Sequence, residues 1–234
     1  MEAHYTYLGE FVENQDLQKF VTAMVVGGLI LLAGILTRAK LASAESRKKH
    51  VIPSKRPTLL GVTDFFVEAF VGYHDSIMGK ENRKYVSFSG SVFIFLLLCN
   101  LVGLIPGMAA ATTTVWVNVG VAIAVFIYFN YLGIREHGLF NYLKHFWGPL
   151  FLTGFILFPV EILSAFLRIL TLNLRLYWNI SADHQVLSIF TELGGLAAFP
   201  MYLLGMFVSL MQAVIFTTLT MVYILLAVAH EEEH

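Results

Sequence analysis

Between Phe146 and Ala229 only five residues carry a formal charge: Glu161, Arg168, Arg175, Asp183 and Glu192. So long an apolar run cannot form the surface of a soluble domain, because nothing in it would face water. Two segments within it, 148–190 and 197–229, are each longer than the roughly 20 residues that cross a bilayer perpendicularly. They are expected as a pair of long helices forming a strongly tilted hairpin. The turn between them is placed in "ELGGLAAFP", residues 192–200.

The rest of the chain agrees. It is 57% hydrophobic and 13% charged, where a soluble chain has roughly 25% charged residues. A formal net charge of -1 excludes a generally basic, nucleic-acid-binding chain. Cys99 is the lone cysteine, so neither a disulfide framework nor a cysteine metal site is expected. No metal and no cofactor are expected at all. The opening "MEAHYTYLGEFVENQD" lacks the basic start of a cleavable signal peptide.

Three further spans are expected, at 20–37, 88–106 and 115–134. The first runs into "RAKLASAESRKKHVIPSKRP", which holds seven basic residues and the single acid Glu45. The positive-inside rule puts this segment in the cytoplasm and the N-terminus outside. "KENRKY" and "REHGLFNYLKH" keep the same orientation, "GMAAATTT" becomes a short outer loop, and the C-terminus is cytoplasmic. Between the first two spans, "GVTDFFVEAFVGYHDSIMG" repeats Phe65, Phe66, Ala69, Phe70, Tyr73 and Ile77 at helical spacing. Asp64, Glu68 and Asp75 fall on other sides, which predicts an interfacial amphipathic helix. The fold class is therefore an all-α integral membrane protein, one membrane domain over 1–234, with about five membrane helices and one interfacial helix.

On a helix wheel at about 100° per residue, Glu161, Arg168 and Arg175 drift by only about 20° from one to the next. Asn179, Asp183 and Ser164 fall near the same azimuth, and His184 lies on another side. The polar residues thus form one stripe. A charge at the centre of a spanning helix costs roughly 2.5–3.5 kcal/mol on insertion scales, and such residues mark bundle interiors or ion paths. Arg168 can reach back towards Glu161. Arg175 cannot do the same: Thr171, Leu172, Trp178 and Asn179 stand one turn away on either side, and none is charged. Arginine holds its proton at any accessible pH, so Arg175 is a fixed positive charge suited to attract a carboxylate on a partner and repel a passing cation. On the second long helix Gly205, Ser209 and Gln212 share one face, small enough for close helix approach, with Gln212 able to hydrogen-bond near Arg175.

"NLVGLIPG" at 100–107, "PVEILSAFLRILTLNLRLYWN" at 159–179 and "LMQAVIFTTLTMVYILLA" at 210–227, in that order, resemble the subunit a family of F-type ATP synthases. The resemblance covers nearly the whole chain. It implies a stator subunit whose last two helices lie against a rotating ring of c subunits, with b-type peripheral stalk subunits and membrane lipid as further partners. It implies a bacterial inner-membrane setting and two offset half-channels for an ion, read as the proton. Arg175 then corresponds to the arginine that faces the ring's carboxylate and separates the half-channels. Asn179, His184 and Gln212 match outward-side or supporting positions, Glu161 an inward-side acid, and Arg168 a basic position, with Ser209 supporting. Trp178 and Asp183 stand where smaller residues are usual. Gly205 replaces a titratable partner of the residue at 184, which leaves that part to Asp183 or Glu192. The chain is not expected to be an enzyme by itself.

Two other classes fit less well. A stand-alone transporter would show an internal repeat and a charge near Arg175, and neither is present. An intramembrane protease would need a His-Glu metal motif within the membrane or a glycine-flanked serine; the tail "HEEEH" at 230–234 lies past the apolar run and reads as a solvated end, and no glycine-flanked serine motif occurs.

Overall fold

The computed structural model describes residues 14–41, 59–105, 108, 111–138, 174, 178, 182, 185–186, 189–190 and 195–228. Five long helices lie among them: α1 Gln15–Leu41, α2 Leu59–Met78, α3 Val86–Gly103, α4 Val115–His137 and α5 Gly195–Val228. Four regions are long and apolar enough to cross a membrane, Asp16–Ala39, Lys80–Gly103, Trp116–His137 and Phe199–Val228. Helices are the natural solution there, because each satisfies its own backbone in a solvent that offers no hydrogen bonds. The molecule is thus an all-α, multi-pass membrane protein. Leu174, Trp178, Ala182, Gln185, Val186, Ile189 and Phe190 are also helical, as expected within 148–190.

α1 and α4 overrun the apolar windows of the sequence, whereas α3 ends at Gly103, short of the expected 106; one further boundary needs correction. The turn expected over 192–200 is helical from Gly195 onward, with Pro200 inside α5. Proline at that place, in the second turn, removes one backbone donor but does not stop a helix held by its neighbours.

α5 is the core helix. It packs along α3, with α4 on one flank and α2 on the other. Its buried positions, including Gly205, Ser209, Ala213, Phe216, Thr220 and Ile224, recur every three or four residues. Leu203, Phe207 and Leu210 are exposed on the other side. Since lipid is as apolar as leucine, this packing is held by close contact and hydrogen bonds more than by expulsion of apolar surface. Phe70 and Phe93 anchor α2 to α3 at 5.3 Å between ring centroids, and Phe88 stacks on Tyr128 of α4 at 3.7 Å.

α2 returns to the bundle through Gly79, whose φ of 77° suits a residue without a side chain. Asn82 donates Nδ2 to the Met78 carbonyl at 2.8 Å, satisfying the helix end. A short 3-10 helix, Lys80–Tyr85, then leads into α3. It carries two ion pairs: Arg83 Nη2 lies 2.5 Å from Asp75 Oδ2, and Lys84 Nζ lies 3.2 Å from Glu136 Oε1 at the end of α4. The face of α2 differs from expectation. Phe65 and Ala69 are exposed, whereas Phe70, His74 and Met78 are buried, with Phe66, Tyr73 and Ile77 half-buried. The packed stripe is rotated so that it includes an imidazole.

At the opposite ends of α3 and α4, "GMAAATTT" is more than a loop. Ala111–Thr113 forms a 3-10 turn tucked against α1 and α3. Asn118 donates Nδ2 to the Thr112 carbonyl at 2.8 Å, and both residues are fully buried. Gln18 and Thr22 cover this corner from α1, where Thr22 Oγ1 donates to the Gln18 carbonyl at 2.9 Å. Further along α1, Leu31, Leu32, Ile35 and Leu36 are all exposed.

Candidate functional site

Of the residues singled out from the sequence, Ser209 and Gln212 are described, and both are buried on α5. They lie one turn apart, with Gly205 one turn before Ser209 on the same face, as the spacing predicted. Arg175, Glu161, Arg168, Asn179, Asp183, His184 and Glu192 lie outside the described residues. Their neighbours Leu174, Trp178, Val186 and Ile189 are exposed. On a helix wheel these four fall within about 120° of arc. Ala182 and Gln185, also exposed, fall within the same arc.

Gly205 is small for a reason. A Cβ built on it would lie 2.7 Å from Leu104 Cδ2, so the leucine at the end of α3 fills the space a side chain would take. A titratable residue at 205 would have to displace Leu104. Ser209 contributes its backbone as well: Asn100 of α3 donates Nδ2 to the Ser209 carbonyl at 3.3 Å. Asn100 is buried, and its Oδ1 has no hydrogen-bond partner. Hydrogen bonds between membrane helices average about 0.6 kcal/mol, so this bond specifies position more than it stabilises. The seam continues through Thr217 and Thr220. Thr220 returns its hydroxyl to the Phe216 carbonyl at 2.9 Å, while Thr217 Oγ1 has no partner.

Sequence reasoning missed Asn100, Thr217, Thr220 and His74. Asn100 had a signal: it is an amide inside an apolar span, within a motif already singled out. The threonines had none, since threonine is ordinary in membrane helices.

The chemistry of the seam is restricted. α5 contains no Asp, Glu, Lys, Arg or His. Its serine, glutamine and threonines can orient dipoles and hydrogen-bond a neighbour, but they cannot carry a net charge near neutral pH. Within this chain, the nearest formal charges in the sequence belong to the 148–190 segment, which holds two arginines and two acids, and to Glu192. Among the described residues no group of three or more His, Cys, Asp or Glu could hold a metal ion.

The family model described as ATP synthase A chain matches residues 21–225. ATP synthase subunit a of Bdellovibrio bacteriovorus is 37% identical over 199 residues, which span 85% of this chain and 86% of that protein. ATP synthase subunit a of Desulfosudis oleivorans is 31% identical over 234 residues, covering 98% of this chain and 99% of its own length.

Proposed function

Because the chain belongs to the ATP synthase A chain family, we propose that it is the proton-translocating stator subunit of an F-type ATP synthase, with Arg175 separating two offset half-channels. It is a subunit of the membrane sector and not an enzyme in its own right. The partner proposed for Arg175 is a carboxylate on a rotating ring of c subunits, with b-type stalk subunits holding the stator. The membrane is the bacterial inner membrane, with the N-terminus outside and the C-terminus cytoplasmic.

One observation carries this reading. Arg175 stands in an apolar segment with no acid three or four residues away, and α5, the next helix in the chain, supplies only neutral dipoles. A permanent charge so placed needs a counter-ion from another chain. If that counter-ion moves, the arginine keeps each arriving carboxylate ionised and repels protons that would cross directly between the channels. Protons enter near Asn179, Asp183, His184 and Glu192, and leave near Glu161, with Gln212 and Ser209 shaping the arginine's surroundings and Arg168 contributing positive charge. His184, with an unperturbed pKa of about 6.5, suits a relay. Each proton crossing 100 mV releases roughly 2.3 kcal/mol, which a leak past Arg175 would dissipate as heat.

The test is Arg175→Ala in inverted membrane vesicles holding the assembled complex. The expected result is loss of coupled ATP synthesis with the complex still present. Normal coupled synthesis in that variant would overturn the reading.

A further inference from the structure

His74 is fully buried, and neither ring nitrogen has a hydrogen-bond partner. It sits on α2 between two attachments. On one side is Tyr73, whose hydroxyl meets Thr218 Oγ1 of α5. Thr218 already donates to the Val214 carbonyl at 2.7 Å, so Tyr73 is the donor in that contact. On the other side Asp75 pairs with Arg83 of the Lys80–Tyr85 turn. Its ring lies on the buried face of α2 with Phe70 and Met78, between one attachment to α5 and one to the basic turn.

A neutral imidazole tolerates that place, and an imidazolium does not, because burial disfavours the charged form. The surrounding charges do not reverse this. Burial pushes the His74 pKa below 6.5, Asp75 raises it by a lesser amount, and Arg83 lowers it again. The Asp75 carboxylate is itself committed to Arg83, which holds it below the usual range. α3 and α5 contribute no acid, lysine, arginine or histidine; their titratable side chains are Cys99, Tyr202 and Tyr223.

We propose that His74 is an acid-responsive latch: while neutral it lets α2 rest on α5, and its protonation from the side of the basic turn drives α2 away. The sign follows from linkage. Undocked, the ring titrates near 6.5; docked, it titrates lower. Docking is therefore complete above about pH 6.5 and weakens up to tenfold per pH unit below it, until the lowered value is reached. Release uncovers the end of α5 nearest the basic turn. That this end is the proton exit rests on the function proposed above; the latch itself does not.

The experiment uses the assembled complex in lipid nanodiscs, where both faces meet the same buffer. Spin labels at Glu68→Cys on α2 and Arg135→Cys on α4, both exposed positions, report the distance between the helices in a Cys99→Ala background. Between pH 8 and pH 5 a second, separated distance is expected, with its midpoint below 6.5. His74→Leu and His74→Gln should remove the response, and either one that assembles suffices. Asp75→Asn should move the midpoint to lower pH, because it removes a charge favouring the imidazolium. The same distance at both pH values, or the same pH response in the His74 variants, would overturn the latch. The Arg175→Ala result tests the function separately and leaves this measurement untouched.

Discussion

The two ends of the α3–α4 pair are both polar, yet they are polar in different ways. At the corner formed with α1, Gln18, Thr22, Thr112, Thr114 and Asn118 are buried and uncharged. Thr22 and Asn118 donate to nearby backbone carbonyls. At the other end, Asp75–Arg83 and Lys84–Glu136 bridge elements at the rim, and His74 lies sealed beneath them. One end is fixed by neutral groups whose bonding does not change with pH or salt. The other is held by charges that exchange with water and by a ring that titrates. The difference teaches that stiffness and responsiveness are divided between the two ends of the same bundle.

That division can be broken by substitution. Phe70→Ala should have the largest effect, since Phe70 is buried and stacks towards Phe93 at 5.3 Å. A loss of about 3–5 kcal/mol is expected from cavity formation. It should be read as denaturant-driven unfolding of the purified complex in lipid, with α2 exchanging amide hydrogens fastest. Asn118→Leu should come next, at about 1–3 kcal/mol, because it leaves the buried Thr112 carbonyl without the amide it accepts from. Its loss should be equal at pH 6 and pH 8; a pH-dependent loss would erase the contrast between the ends. Arg83→Gln should be smallest and sensitive to salt, since its guanidinium is largely exposed. Its signature lies in acid. Asp75 has a pKa lowered chiefly by the Arg83 hydrogen bond, so that pair contributes stability above about pH 3.8 that is lost as pH falls through the lowered value. In the variant that acid-dependent loss should disappear, and an unchanged acid profile would remove the pair from the account.

Much of the fold was legible because hydropathy reports spanning helices directly. The windows at 20–37, 88–106 and 115–134 each found a helix; α1 and α4 run longer because polar flanks continue the backbone pattern unseen by an apolar count, while α3 is shifted towards the N-terminus and ends at Gly103. The start of α5 was misplaced because Gly194, Gly195 and Pro200 read as a turn in water. Between packed helices in lipid, an unwound backbone has no partner for its amides, and the helix persists. The face of α2 was misjudged for a different reason. Counting apolar residues favours Phe65 and Ala69, but which flank meets α5 depends on the direction set at Gly79, and no periodicity encodes that. His74 stayed invisible because a histidine in an amphipathic helix reads as part of its wet side. At the candidate site, the shared face of Gly205, Ser209 and Gln212 was readable from spacing, while Asn100 reaching across to Ser209 was not, because it joins residues 109 apart in the chain.

The Asn100–Ser209 bond has a mechanical meaning. A side-chain amide seated on one particular carbonyl works as a key in a keyway: α5 cannot slide by a turn or roll about its axis without withdrawing it. With Leu104 filling the notch at Gly205, the helix is keyed at two heights. A force applied to its open face therefore passes into α3 rather than turning α5 in place. A part that must stay still while a neighbour pushes on it needs such a bearing seat.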